Sequence, residues 1–114
     1  MGSMIDIAHF DMTRFEQSAA KAARLLRALA NERRLMIMCQ LSGGELSVSE
    51  LLPLIGLSQS ALSQHLAVLR SDGLVTARRD GLSILYSIAH PPAAQVMVTL
   101  AAIFCSDDME ISNA

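Results

Sequence analysis

Ser58-Gln-Ser-Ala-Leu-Ser-Gln-His-Leu-Ala-Val-Leu-Arg-Ser-Asp72, followed by Gly73, is the stretch whose reading decides the fold. Ser58 is of the type favoured at helix N-caps, and Leu62, Leu66 and Leu69 recur at i, i+4 and i+7. Gly73 suits the left-handed turn that ends a helix. The spacing predicts an amphipathic helix of about four turns. Projected at about 100° per residue, the face opposite the leucines carries Ser60, Ser63, Gln64, Ala67 and Ser71, with Gln59 beside them at the N-terminus. A solvated face is usually rich in Lys and Glu, whereas Ser and Gln can approach a base edge and both donate to it and accept from it. Gln59, Ser60, Ser63 and Gln64 are therefore the candidate base-reading residues. The bland alternative is a polar surface that happens to lack charge.

The segments on either side support a reading helix. Upstream, Ser47-Val-Ser-Glu50 matches the S-x-x-E capping box and opens a short helix through Ile55 that stops at Gly56. Pro53 removes one backbone bond from it, so a kinked or shortened helix is expected. Only Gly56 and Leu57 separate this helix from Ser58, which is a helix-turn-helix arrangement. Downstream, Leu74 to Arg79 and Leu82 to Ile88 alternate apolar positions, and Asp80-Gly81 between them signals a two-residue hairpin turn. Arg78 and Arg79 near its tip fit a wing that touches phosphates or the minor groove, although two arginines on a turn are commonly just solvated.

Earlier in the chain, Phe15, Ala19, Ala22, Ala23, Leu26 and Leu29 repeat at helical spacing over Thr13 to Leu29. Asn31 caps a second expected helix, Glu32 to Leu41, in which Cys39 lies one turn after Leu35 on the apolar side. Pro91-Pro92 begin a last helix that is apolar on nearly every face from Ala93 to Cys105, with only Gln95 and Thr99 polar. Such a helix needs cover on two sides, and in so small a chain a second copy supplies it most simply. The expected organisation is a cloning remnant and flexible arm over 1–12, one domain over 13–106 and an acidic tail over 107–114. The fold class is mainly α with a small β-hairpin, a winged helix-turn-helix.

Composition limits the function. In 114 residues, 52% are hydrophobic and only 4% aromatic, which suits a core of packed helices in one domain. The formal charge of −2 excludes a protein that binds polyanions by net charge alone, so double-stranded DNA must be held by locally placed arginines and by duplication of sites in a dimer. No secretory signal stands out, and the longest apolar run, Val96 to Cys105, is about half of a bilayer span. A soluble, cytoplasmic protein with no membrane partner is expected, with its two cysteines resting as thiols. His9, His65 and His90 form no ligand pair at helical spacing, so neither a metal nor another cofactor is expected. An enzyme built on Cys39 with His65 or His90 lacks a third, orienting residue, and no catalytic residue is assigned.

The order of elements, with Ser58-Gln-Ser-Ala-Leu-Ser-Gln-His-Leu-Ala-Val-Leu-Arg70 and Gly73-Leu-Val-Thr-Ala-Arg-Arg79, resembles the ArsR family of winged-helix repressors from about Phe15 to Cys105. The resemblance implies a homodimer through the first and last helices, and operator binding that an inducer switches off. Paired reading helices would then meet successive major grooves about 34 Å apart. It also implies checking metal ligands one by one. Where arsenic and cadmium sensors of the family carry Glu-Leu-Cys-Val-Cys, this chain has Glu45-Leu-Ser-Val-Ser49, and its last helix has neither the Asp nor the His of the zinc and nickel sensors.

What remains is one cysteine in each of two helices, Cys39 and Cys105, the pattern of the SqrR/BigR subgroup and similar to HlyU-like relatives. That similarity implies a sensing-thiol pair whose inducer is a small sulfur electrophile, a persulfide or polysulfide. A direct disulfide needs Cα atoms within about 7 Å and each added sulfur extends the span by about 2 Å, so thiols slightly too far apart accept a polysulfide bridge and resist plain oxidation. The negative end of the last helix and the acidic residues after it surround Cys105, which makes Cys39 the expected first attacker. Open beside this reading are a disulfide switch answering general oxidants, a metal or metalloid sensor with an unseen site, and an interaction module with a degenerate reading helix.

Overall fold

Side chains close the N-termini of the first four helices. The computed structural model describes residues 11–105, so the expected 107–114 tail and all but the end of the expected arm lie outside the described residues. Asp11 accepts from the Arg14 N–H at 3.0 Å and opens α1, Met12–Leu29, one residue earlier than the periodicity suggests. Asn31 accepts from the N–H groups of Arg33 and Arg34 and opens α2, Glu32–Leu41. Both halves of the capping box form at α3, Val48–Ile55: the Glu50 N–H donates to Ser47 Oγ and the Ser47 N–H to Glu50 Oε1.

Pro53 does not shorten α3, which continues to Ile55 and ends at Gly56 with φ of 77°. In a helix of eight residues the proline forfeits one backbone bond, while the buried Leu51 and Ile55 hold the segment against its neighbours. Ser58 then caps α4, Gln59–Ser71, through the Ala61 N–H at 3.1 Å. At its far end Leu74 N–H reaches Leu69 O at 2.9 Å and Gly73 N–H reaches Arg70 O at 3.0 Å. These are the paired bonds of a Schellman turn, and Gly73 supplies the required positive φ of 75°.

The sheet corrects the sequence reading in two ways. It has three strands in the order β1-β3-β2, with β1 at Leu46–Ser47, β2 at Val75–Asp80 and β3 at Ser83–Ile88. β1 had no signal, because a two-residue strand shows no period. The hairpin loop is Gly81-Leu82, not Asp80-Gly81, since Asp80 pairs with Ser83. Gly81 alone has a positive φ, 65°, at the first central position, the pattern of a type II′ turn. Leu82 therefore leaves the strand and stands fully exposed at the wing tip, 103% relative to a reference residue.

One core joins these parts: Ile37 and Met38 of α2, Leu51 and Ile55 of α3, Leu62, Leu66 and Leu69 of α4, Leu74 and Val75 at the start of the hairpin, and Ala93 and Met97 of α5, Pro91–Phe104. α1 contributes to it only through Ala28 and Leu29. The expected apolar stripe of α1 is thus not buried as a whole, and Phe15 and Leu26 are exposed, as are Val98, Ile103 and Phe104 of α5.

Candidate functional site: a reading helix with a wing, and a thiol cleft

The leucine stripe decides which way α4 faces. With Leu62, Leu66 and Leu69 buried, Gln59, Ser60, Ser63 and Gln64 all lie on the exposed surface, within two turns of its N-terminus. The base-reading candidates therefore form one patch. Three arginines brace the reading helix and the helix before it. Arg33 donates to Ile55 O at 2.9 Å, satisfying a carbonyl that the end of α3 leaves open. Arg34 donates from Nε to Ala28 O at 2.6 Å and approaches His65 Nδ1 to 3.5 Å, so it links the end of α1 to α4. Arg24 Nε pairs with Asp72 Oδ1 at 3.0 Å, tying α1 to the C-cap of the reading helix.

Beside the patch, the wing offers its two arginines unequally. Arg78 and Arg79 point to opposite faces of β2, as adjacent strand residues must. Arg78 is held in a bidentate pair by Glu45, Nε to Oε2 at 2.7 Å and Nη2 to Oε1 at 2.8 Å. The hydrogen bonds from Arg78 hold the Glu45 carboxyl below the usual carboxylate range, and the carboxylate in turn raises the Arg78 guanidinium. Arg79 is exposed with no ion pair among the described residues.

Sequence reasoning missed one cation. Arg70 is exposed on α4 and, with Ser63, Ala67, Ser71 and Tyr86, lines a groove between the reading helix and β3. Its place at i+7 from Ser63, with Ala67 between at i+4, was the available signal. A cation at the mouth of a groove between reading helix and wing is suited to a phosphate.

The second site lies on the other side of the core. Cys39 and Cys105 are both free thiols and both exposed, and they line one cleft of about 620 Å³ between α2 and α5. Cys39 was expected on the apolar side of α2. The core instead takes Ile37, Met38 and Leu41, leaving Cys39 with Leu35 and Met36 on the cleft wall. From α5 the wall receives Met97, Val98, Leu100, Ala101 and Phe104. Among the described residues no group of three or more His, Cys, Asp or Glu could hold a metal ion, and no helix is long and apolar enough to cross a membrane.

A helix-turn-helix with an exposed Ser/Gln face and a flanking two-stranded wing defines a DNA-binding regulator of the winged-helix class. The comparisons agree. Residues 31–77 match the model of the bacterial regulatory proteins of the arsR family, and the chain belongs to that family. The transcriptional activator HlyU of Vibrio cholerae is 45% identical over 86% of this chain and 91% of its own length. A solved structure described as reduced HlyU from Vibrio cholerae superposes with a TM-score of 0.78 at 46% identity, over 82% of this chain and 98% of that one. The transcriptional repressor BigR from Xylella fastidiosa superposes with a TM-score of 0.80 at 41% identity, over 86% of this chain and 100% of that one. The homodimeric winged helix-turn-helix domain of Mb0332 from Mycobacterium bovis has a TM-score of 0.71 at 30% identity, over 100% of this chain and 96% of that one. This chain is thus a transcriptional regulator of the ArsR, HlyU and BigR kind.

Proposed function

We propose that the chain acts as a homodimeric repressor that releases its DNA operator when reactive sulfur bridges Cys39 to Cys105. The observation that carries this reading is the shared cleft: the two thiols, distant in sequence, line one pocket between α2 and α5. α2 also carries Arg33 and Arg34, which hold the end of α3 and approach His65 of α4. A bridge that pulls α2 toward α5 thereby acts on the helices that present Gln59, Ser60, Ser63 and Gln64. Arg79, Arg70 and the releasable Arg78 supply phosphate contacts. Dimerisation is supported by the exposed Leu26 of α1 and Ile103 of α5, which lie outside the cleft, and by the homodimeric relative.

The chemistry balances without an outside oxidant. Each cysteine takes the terminal sulfur of one persulfide, RSSH, and releases RSH. The Cys39 perthiolate then attacks the inner sulfur of the Cys105 persulfide, and hydrogen sulfide leaves. The product is a bridge with one added sulfur. A coupling typical of allostery, about 1–3 kcal/mol, weakens DNA binding roughly 5- to 150-fold.

The test is operator binding by anisotropy before and after an organic persulfide, with intact mass in parallel. Since HlyU is named an activator and BigR a repressor, DNA release rather than the sign of transcription is the quantity to read. Retained loss of affinity in treated Cys39→Ser refutes the switch. A second reading, a plain disulfide switch, is also favoured by the shared cleft, and diamide separates the two by the mass of the bridge.

A further inference from the structure

The walls of the thiol cleft are more selective than the thiols themselves. Leu35, Met36, Met97, Leu100 and Phe104 make it apolar, and among the described residues its lining contains no Lys, Arg or His. Among the described residues Glu32 is its only ionisable side chain besides the thiols. At about 620 Å³ the cleft has the size and character of a small-molecule site. Along α5, Val98, Ala101 and Cys105 face the cleft, while Gln95, Thr99, Ala102 and Ile103 project from the other side of the helix at about 100° per residue. A partner subunit packed on that other side leaves the cleft open.

From this chemistry we infer that the cleft binds an uncharged organic polysulfide, with its apolar groups against the methionine, leucine and phenylalanine wall, and disfavours anionic peptide carriers of the same sulfur. The inference rests on the thiol-switch reading and names its ligand class. In a trisulfide R–S–S–S–R, the Cys39 thiolate attacks the central sulfur and RS⁻ leaves, taking up the proton that Cys39 gave up. Cys105 attacks the same sulfur and displaces the second RS⁻, which takes the Cys105 proton. One trisulfide and two thiols become a Cys39–S–S–S–Cys105 bridge and two RSH. The two cysteines are oxidised and the two R–S ends reduced, with no other reagent. A carrier with carboxylates finds no cation to replace its lost hydration and meets Glu32 instead.

The experiment treats the reduced full chain with diallyl trisulfide or with glutathione trisulfide, which carry the same three sulfurs on apolar or on anionic peptide ends. Bridge formation is followed by intact mass as one added sulfur less two hydrogens. Each rate is divided by that of the same reagent with N-acetylcysteine methyl ester. The expected result is a normalised rate roughly tenfold or more higher for diallyl trisulfide, saturating with concentration. Val98→Lys and Ala101→Lys, both at exposed positions and checked for folding by circular dichroism, narrow the ratio, as does Glu32→Gln. Equal normalised rates, or a ratio that neither lysine moves, overturn the inference while leaving the thiol switch standing. Failure of both reagents to form any bridge overturns the inference, and failure of an organic persulfide to form one as well overturns the switch with it.

Discussion

Replacing Glu45 with glutamine releases Arg78. In the native chain both carboxylate oxygens accept from that guanidinium, at 2.7 and 2.8 Å, so in the free protein the wing offers Arg79 but holds Arg78 back. Glutamine removes the charge that opposes a phosphate and loses the bidentate match. If each wing then gains one phosphate contact, a dimer gains two, and the slope of log K against log salt steepens by about 1.8. Between 50 and 200 mM salt that adds about a twelvefold further loss of affinity, with tighter binding at the low-salt end. Anisotropy titrations on a fluorescent duplex at four salt concentrations measure it, with Arg78→Ala as the control in which Glu45→Gln changes nothing. An unchanged slope with weaker binding refutes the reasoning and makes the pair a brace for the wing. The pair also has a pH signature. Its folded-state carboxyl is held below the ordinary value of 4.5, so its stabilisation is complete above that value and fades as pH falls through the lower, folded one. Urea midpoints of native and Glu45→Gln protein, distinct at pH 7, converge at strongly acidic pH.

Leu66→Ala, at a side chain 1% exposed in the middle of the core, costs about 2–5 kcal/mol in urea unfolding, and a change below 1 kcal/mol contradicts its central position. Gln64→Ala and Arg70→Ala separate reading from holding. The first flattens discrimination between operator and scrambled duplexes by about 1–3 kcal/mol, and the second weakens binding to both alike while lowering the salt slope by about 1.8 per dimer. Arg33→Met, which removes the bond to Ile55 O at 2.9 Å, leaves the thiols free to bridge but reduces the accompanying loss of DNA affinity. An undiminished loss places the coupling elsewhere.

Wherever neighbours in sequence decide an element, the residues alone were enough. Leu62, Leu66 and Leu69 set the face of α4, Ser47 with Glu50 set the start of α3, and Gly73 set the end of the reading helix, because caps and 3.6-residue stripes are local. The Ser/Gln face followed at once, since turning the leucines inward leaves those residues no other place. Distance along the chain marks where this reading stopped. β1 exists only because β3 passes beside Leu46 and Ser47, and Leu82 is a tip rather than a strand residue because pairing of Asp80 with Ser83 sets the register. Glu45 and Arg78 are far apart in sequence, and no local rule pairs them. The same holds for Cys39 and Cys105: the chain supplies two thiols on two helices, but only the packing of α2 against α5 brings them to one apolar cleft, because a pocket is made of side chains whose helices meet through the core.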